Sequence, residues 1–286
     1  MKSRAFTLIE LLVVIAIIAI LMAIIMPALN LVKKKAATTA CLSNTKNLSL
    51  GWYMYHSDND GRIMSCEDTG REPNGNFVGW CGVPRDESGA TMSYDQTSPA
   101  VTDQDEIRGI KRGVLFPYVQ DPGVYHCPAD NQRKSLYDGT TVFVSYGMPY
   151  CLYRITNPED PRYNQQIRLF DEITSPSTRY NFVESAETRN YNVAHHFVIG
   201  SPEETNLDEW GWWGPMAINH GNSSVLGFCD GHSEVRKWRD SFTIERVYKL
   251  IDQGATSYGI EYPPAGQTQD IDYMDDGWPY RHNRGR

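Results

Sequence analysis

The chain changes its hydrophobic pattern abruptly near its start. From Leu8 to Met26 every side chain is apolar except Glu10, and a run of that length reaches across a bilayer. Beyond Pro27 the pattern becomes a stripe. Leu29, Val32, Ala36 and Ala40 recur at three- and four-residue steps, and Cys41, Leu48, Trp52 and Tyr55 extend the same face. Lys33 to Lys35 and Asn44 to Asn47 fill the opposite face. This predicts one helix from Phe6 to His56, about 75 Å long at 1.5 Å per residue, kinked at Pro27. Its inner half faces lipid or sister helices and its outer half packs on a head. Asp58-Asn59-Asp60-Gly61 ends it with turn chemistry.

The remainder reads as short strands in long connections. Residues from Cys66 to Thr102 are rich in Gly, Pro, Ser and Asn, with Phe77 to Trp80 as their one strand-like piece. Arg108 to Val119 predicts a short structured element leading to Tyr125-His126-Cys127-Pro128. Val142 to Gly147, Ile167 to Phe170 and Arg179 to Glu184 have strand character. Val225 to Cys229 and Ser233 to Val235 flank Asp230-Gly231, a hairpin turn. After Ser257 the chain reads as an extended surface tail, whose carboxylates from Asp270 to Asp276 are a weak cation candidate.

Charge sharpens this division. Glu10 is the one acid before Asp58, so 34 of the 35 acidic residues and 21 of the 27 basic ones lie in the head. An acidic head argues against nucleic acid as a partner. Glu10 itself stands out, because a carboxylate at mid-membrane costs roughly 2.5–3.5 kcal/mol. A positive group paired with it would relieve that penalty.

Several residues carry candidate chemistry, each with a structural reading beside it. Counted from His56, the residues Asp58, Asp60, Gly61, Ile63 and Glu67 fall where a calcium loop needs them. His stands at the first position, however, and a helix-ending turn is the favoured reading. Trp210, Trp212 and Trp213 could stack on sugar rings, with core or interface packing favoured. His220, Asp230 and His232 offer a base and a carboxylate, but no nucleophile elbow accompanies them; a structural role for His220 at the turn is favoured. His126 beside Cys127 points to the opposite face of an extended segment. None of the six cysteines (41, 66, 81, 127, 151 and 229) is spaced C-x-x-C, which gives zinc and thioredoxin-like chemistry little support. A local Cys66–Cys81 bridge and buried thiols both remain open. The cysteine count is compatible with an oxidising compartment.

The start of the chain resembles a known family. Lys2-Ser3-Arg4-Ala5 followed by Phe6-Thr7-Leu8-Ile9-Glu10 and the apolar run looks like the amino terminus of type IV prepilins and type II secretion pseudopilins. The resemblance implies cleavage between Ala5 and Phe6 by a prepilin peptidase, methylation of Phe6, and pairing of Glu10 with the amine of a sister subunit. Ala5 stands where the family usually has Gly. Cys41 to Asn44, the Cys127-Pro128 region, and His220 followed by Asp230-Gly231 resemble a subgroup from planctomycete-type bacteria. In that subgroup His220, Asp230 and Gly231 would mark a signature turn.

The expected architecture is therefore α+β and pilin-like, a long N-terminal helix on an antiparallel sheet in a loop-rich head. Residues 1–5 would be leader, 6–28 the membrane and assembly half of the helix, and 29–57 its amphipathic half. Residues 58–256 would form the head and 257–286 the tail. The implied role is a non-enzymatic building block of a type II secretion pseudopilus or type IV pilus-like filament. Its partners would be the peptidase, sister subunits, the inner-membrane assembly platform and lipid, with the head outside. No cofactor is expected beyond the calcium candidate. Two other readings are an anchored carbohydrate- or ligand-binding protein that does not polymerise, and an anchored metal-dependent enzyme using His220, Asp230 and His232.

Overall fold

The computed structural model describes residues 8–67, 70–71, 74–92, 101–130, 142–153, 159, 166–186, 195–196, 199–200, 211–212, 214, 216–253 and 260–279. Its first element, α1 (Leu8–Asp58), is a single helix of 51 residues that continues through Pro27. The first buried side chain along it is Cys41, followed by Thr45, Leu48, Ser49, Gly51, Trp52 and Tyr55. These positions repeat at three- and four-residue steps, so one stripe of the outer half enters the core. The turn after α1 uses left-handed backbone at Asp60 (φ 53°) and Gly61 (φ 77°), and Gly61 N–H closes onto His56 C=O.

The stripe lies on a sheet. Strands β1 (Tyr146–Pro149), β2 (Tyr180–Glu184), β6 (Ser223–Phe228) and β7 (Ser233–Lys237) run antiparallel in the order β1-β2-β6-β7. The short strand β3 (His195–His196) adds parallel to β1 at the edge. A separate pair, β4 (Ile199–Gly200) and β5 (Gly211–Trp212), is antiparallel. All residues of β1, β2 and β6 are buried, whereas β7 is half exposed. Buried strands covered on both faces need not alternate polar and apolar residues. Trp52, Trp80, Tyr125, Tyr146, Tyr180 and Phe182 fill the space around them.

Backbone proximity fixes α1 on this sheet. Gly227 of β6 lies directly under the helix, where an added Cβ would meet Ser49 Oγ and Thr45 Cγ2. Short helices complete the head: α2 (Asp103–Ile110), α3 (Phe116–Val119), α4 (Ser241–Gln253) and α5 (Gln269–Asp276). Helix α2 opens with a capping box, Thr102 accepting from Asp105 N–H and Asp105 accepting from Thr102 N–H.

Several expectations need correction. The segment after Ser257 is not extended throughout, because α5 forms within it and buries Ile271, Met274 and, just beyond, Trp278. Its apolar residues at three- to four-residue steps are masked in sequence by the surrounding acids. Ile167–Phe170 forms two isolated bridges, Ile167 to Leu152 and Leu169 to Arg62, and then a tight turn rather than a strand. The strand foreseen at Val142–Gly147 starts only at Tyr146. Cys66 and Cys81 do not bridge. Both are buried thiols, as are Cys151 and Cys229, while Cys41 is joined to Cys127.

Candidate functional site

Two features of α1 meet at Cys41. On its N-terminal side the helix projects from the head with its apolar side chains in the open. Leu8 is 79% exposed, Ile24 69% and Val32 60%. Such a surface is not stable in water and is suited to lipid or to matching helices. Glu10 lies in the first turn of the described helix. Ala5 and Phe6 lie outside the described residues.

On the C-terminal side α1 is fastened to the head by a buried polar cluster. The Cys41–Cys127 disulfide links α1 to the segment following a 3₁₀ turn at Pro122–Tyr125, with a Cα–Cα distance of 5.3 Å. His220 sits beside it, its side chain 1% exposed. The imidazole is aimed by the turn that precedes β6, where Gly221 (φ 62°) and Asn222 (φ 56°) are both left-handed. Its Nε2 lies 2.9 Å from Glu184 Oε1 and 3.5 Å from Cys127 Sγ. Its Nδ1 lies 3.1 Å from Thr38 Oγ1, one turn before Cys41. Glu184 closes β2 and its second oxygen accepts from Val225 N–H at 2.9 Å. Burial raises the Glu184 pKa above the ordinary carboxylate range, against the opposing pull of His220. Among the described residues, the cysteine, histidine and acidic side chains whose ligand atoms converge within 4.8 Å are Cys41, Cys127, Glu184 and His220.

The structure separates His220 from the other two members of the proposed metal triad. His220 precedes β6, whereas Asp230 and His232 lie in the hairpin beyond its far end. Six residues of strand put about 20 Å between the two ends. A site joining all three is therefore excluded. Asp230 Oδ1 instead accepts from His232 N–H and contacts the His232 ring, which stacks on Phe228 at 4.2 Å. Gly231 (φ 92°) keeps that turn clear of α1, since a Cβ there would lie 2.7 Å from Leu50 Cδ2.

Trp212 lies in the core. It is 1% exposed and packs edge-to-face on Trp238, so its ring offers no face to a sugar. Trp210 and Trp213 lie outside the described residues. Of the calcium candidates, Asp58 ends α1 near the Tyr118 hydroxyl, Asp60 occupies the left-handed turn, and Glu67 follows Ser65, whose Oγ accepts from Glu67 N–H. His126 is taken up by Phe143, bonding its C=O at 2.7 Å and stacking on its ring. The grouping of Cys41, Cys127 and Glu184 with His220 escaped sequence reasoning. Its members are scattered over 180 positions, and no short motif links them.

Residues 1–26 match the model of the prokaryotic N-terminal methylation motif. No curated protein and no solved structure matches the chain. The chain thus carries a prepilin-type amino terminus, and its long helix packed on an antiparallel sheet agrees with a pilin-like architecture. The apolar helix and the motif together support membrane anchoring through the amino terminus.

Proposed function

We propose that this protein is a structural subunit, with no turnover of its own, of a type II secretion pseudopilus or a related type IV pilus-like filament. The observation that carries this reading is a folded head bearing an uncovered apolar helix, from Leu8 to Val32, under a methylation motif. A simple anchor needs such a helix but has no use for amino-terminal methylation.

In this reading a prepilin peptidase cuts between Ala5 and Phe6 and the new amine is methylated. The leader stays inside, the head is outside, and the helix is held in the inner membrane until the assembly platform draws it into a filament. In the filament the exposed halves of neighbouring helices cover one another and exchange lipid contact for protein contact. Glu10 then meets the Phe6 amine of a neighbour. Opposite charges at close range in an apolar medium attract strongly, and the pairing sets axial register between subunits. The acidic head faces solvent on the filament exterior. The resemblance of the Cys41, Cys127 and His220 regions to planctomycete-type pilin-like proteins fits the same role.

The test is a Glu10→Ala variant expressed beside wild type, with intact mass measured on protein from membranes and from sheared surface material. The variant is expected to be cleaved, methylated at Phe6 and membrane-inserted, yet lost from filaments. Wild-type filament yield from the variant would remove the register role of Glu10. A native protein retaining Met1 would remove the whole reading.

A further inference from the structure

The buried cluster beside α1 contains a conflict of donors and acceptors that a cation resolves. Thr38 has one hydroxyl proton, and it goes to Lys34 C=O at 3.0 Å. The same oxygen therefore accepts from His220 Nδ1–H at 3.1 Å. That leaves the lone pair of a neutral imidazole on Nε2. Nε2 faces Glu184 Oε1 at 2.9 Å and Cys127 Sγ at 3.5 Å, both of them acceptors. The arrangement is stable only with something positive at its centre, a proton or a metal ion.

We propose that Cys41, Cys127, Glu184 and His220 form a binding site for a thiophilic divalent cation, zinc in the first instance, when the two cysteines are thiolates. The donor set is two sulfurs, one imidazole and one carboxylate, which suits tetrahedral zinc. With Zn–S near 2.3 Å and Zn–N or Zn–O near 2.0–2.1 Å, the edges of the tetrahedron are about 3.3–3.8 Å. The four ligand atoms already lie within 4.8 Å of one another. All four side chains are buried, and they come from α1, the segment after the 3₁₀ turn, β2 and the turn before β6. The outer supports are also present. Thr38 fixes the imidazole tautomer, and Val225 N–H holds the second oxygen of Glu184.

The disulfide seen in the structure is the oxidised alternative of the same site. In passing to it, two Zn–S bonds break and one S–S bond forms. Two electrons go to an acceptor disulfide, which takes up two protons from water and leaves as two thiols. The zinc ion departs, and a proton enters between His220 Nε2 and Glu184 Oε1. Either state ties α1 to the head at the same point, so the clamp survives on both sides of a redox boundary. This inference does not depend on filament assembly.

The test uses the full-length chain in detergent, reduced with a phosphine that does not bind zinc, and titrated with cobalt(II). The reduced protein is expected to bind one equivalent, with the visible bands of tetrahedral cobalt and a sulfur-to-cobalt charge-transfer band, all abolished by zinc. Oxidised protein should show neither. His220→Ala and Glu184→Gln should each weaken cobalt binding at least tenfold while the fold, read by circular dichroism, persists. If the reduced chain unfolds, recovery on adding zinc supports the site and failure to recover overturns it. Folded, reduced protein without the bands, or bands unchanged in both variants, also overturns it.

Discussion

Substituting Gly227 by alanine probes the close approach of α1 to β6. The Cβ added there would lie well inside contact distance of Ser49 Oγ, 2.9 Å from Thr45 Cγ2 and 3.1 Å from Asn181 Oδ1. Ser49 could turn its hydroxyl away, but that hydroxyl donates to Asn181 Oδ1 at 2.9 Å in a fully buried pair. Losing the donor strands a buried acceptor at about 1–3 kcal/mol. Keeping it forces the helix off the sheet, and overpacking of this kind costs about 1–3 kcal/mol. The two responses partly substitute for each other, so the expected loss is about 2–4 kcal/mol.

Urea unfolding of the detergent-solubilised chain, followed by tryptophan fluorescence, measures it. Trp52 lies one turn beyond Ser49 and is wholly buried, so it reports the helix leaving the sheet. Ser49→Ala removes the offending oxygen and supplies the control. In the Gly227→Ala background it should be less costly than in the wild type, with a coupling of about 0.5–3 kcal/mol. A Gly227→Ala protein within about 0.5 kcal/mol of wild type would refute the close approach. So would strict additivity of the two substitutions.

Other perturbations test separate parts of the fold. Cys127→Ser in oxidised protein opens a loop whose ends are 86 residues apart, and the chain-entropy argument puts the cost at about 4–5 kcal/mol; a thermal scan against wild type checks it. Asp270→Ala should cost about 2–4 kcal/mol by the same unfolding assay, because Asp270 Oδ2 accepts from both Arg239 and Asp240 N–H in the core. Burial pushes the Asp105 carboxyl up, but bonds from the Thr102 hydroxyl and N–H and from Arg108 outweigh it and hold the pKa below the ordinary 3.8. A lowered acid pKa gives stability that is present above 3.8 and lost as pH falls through the folded value. Thermal scans below pH 4 should therefore show Asp105→Asn losing less stability with acid than wild type.

The helix and the hairpin were legible in sequence because their signals are local. An apolar run broken by one acid, a stripe at helical spacing and an Asp-Gly turn each act over a few residues. The buried cluster was not legible, because chain order says nothing of which turn of α1 meets which strand end. For all its closeness in sequence to Asp230, His220 is carried away from it by the length of β6. Its real neighbours, Glu184 and Cys127, are 36 and 93 residues away. A run of tryptophans likewise looks the same in sequence whether the sheet covers it or not, so the packing of Trp212 on Trp238 is visible only in the fold. The helix α5 was hidden by four aspartates among its eight residues, although Asp270 faces inward and bonds backbone N–H groups there.

The point where α1 enters the head is also the point where it is cross-linked. Cys41 is the first buried residue of the helix, and Thr38, one turn earlier, already touches His220. From Cys41 to Tyr55 the helix lies on the head for about 20 Å, held by the glycine contacts at Gly227 and Gly231. A force along the exposed half would peel that contact from its N-terminal end, because non-covalent packing yields one turn at a time. A covalent or metal clamp at the leading edge converts peeling into simultaneous shear of the whole interface, which requires every buried contact to break together. A filament subunit drawn out of a membrane by its helix has that mechanical need, and a passive anchor does not. Loss of the clamp should therefore lower filament yield under shear more than it lowers membrane insertion, and equal losses in the two would separate the clamp from assembly.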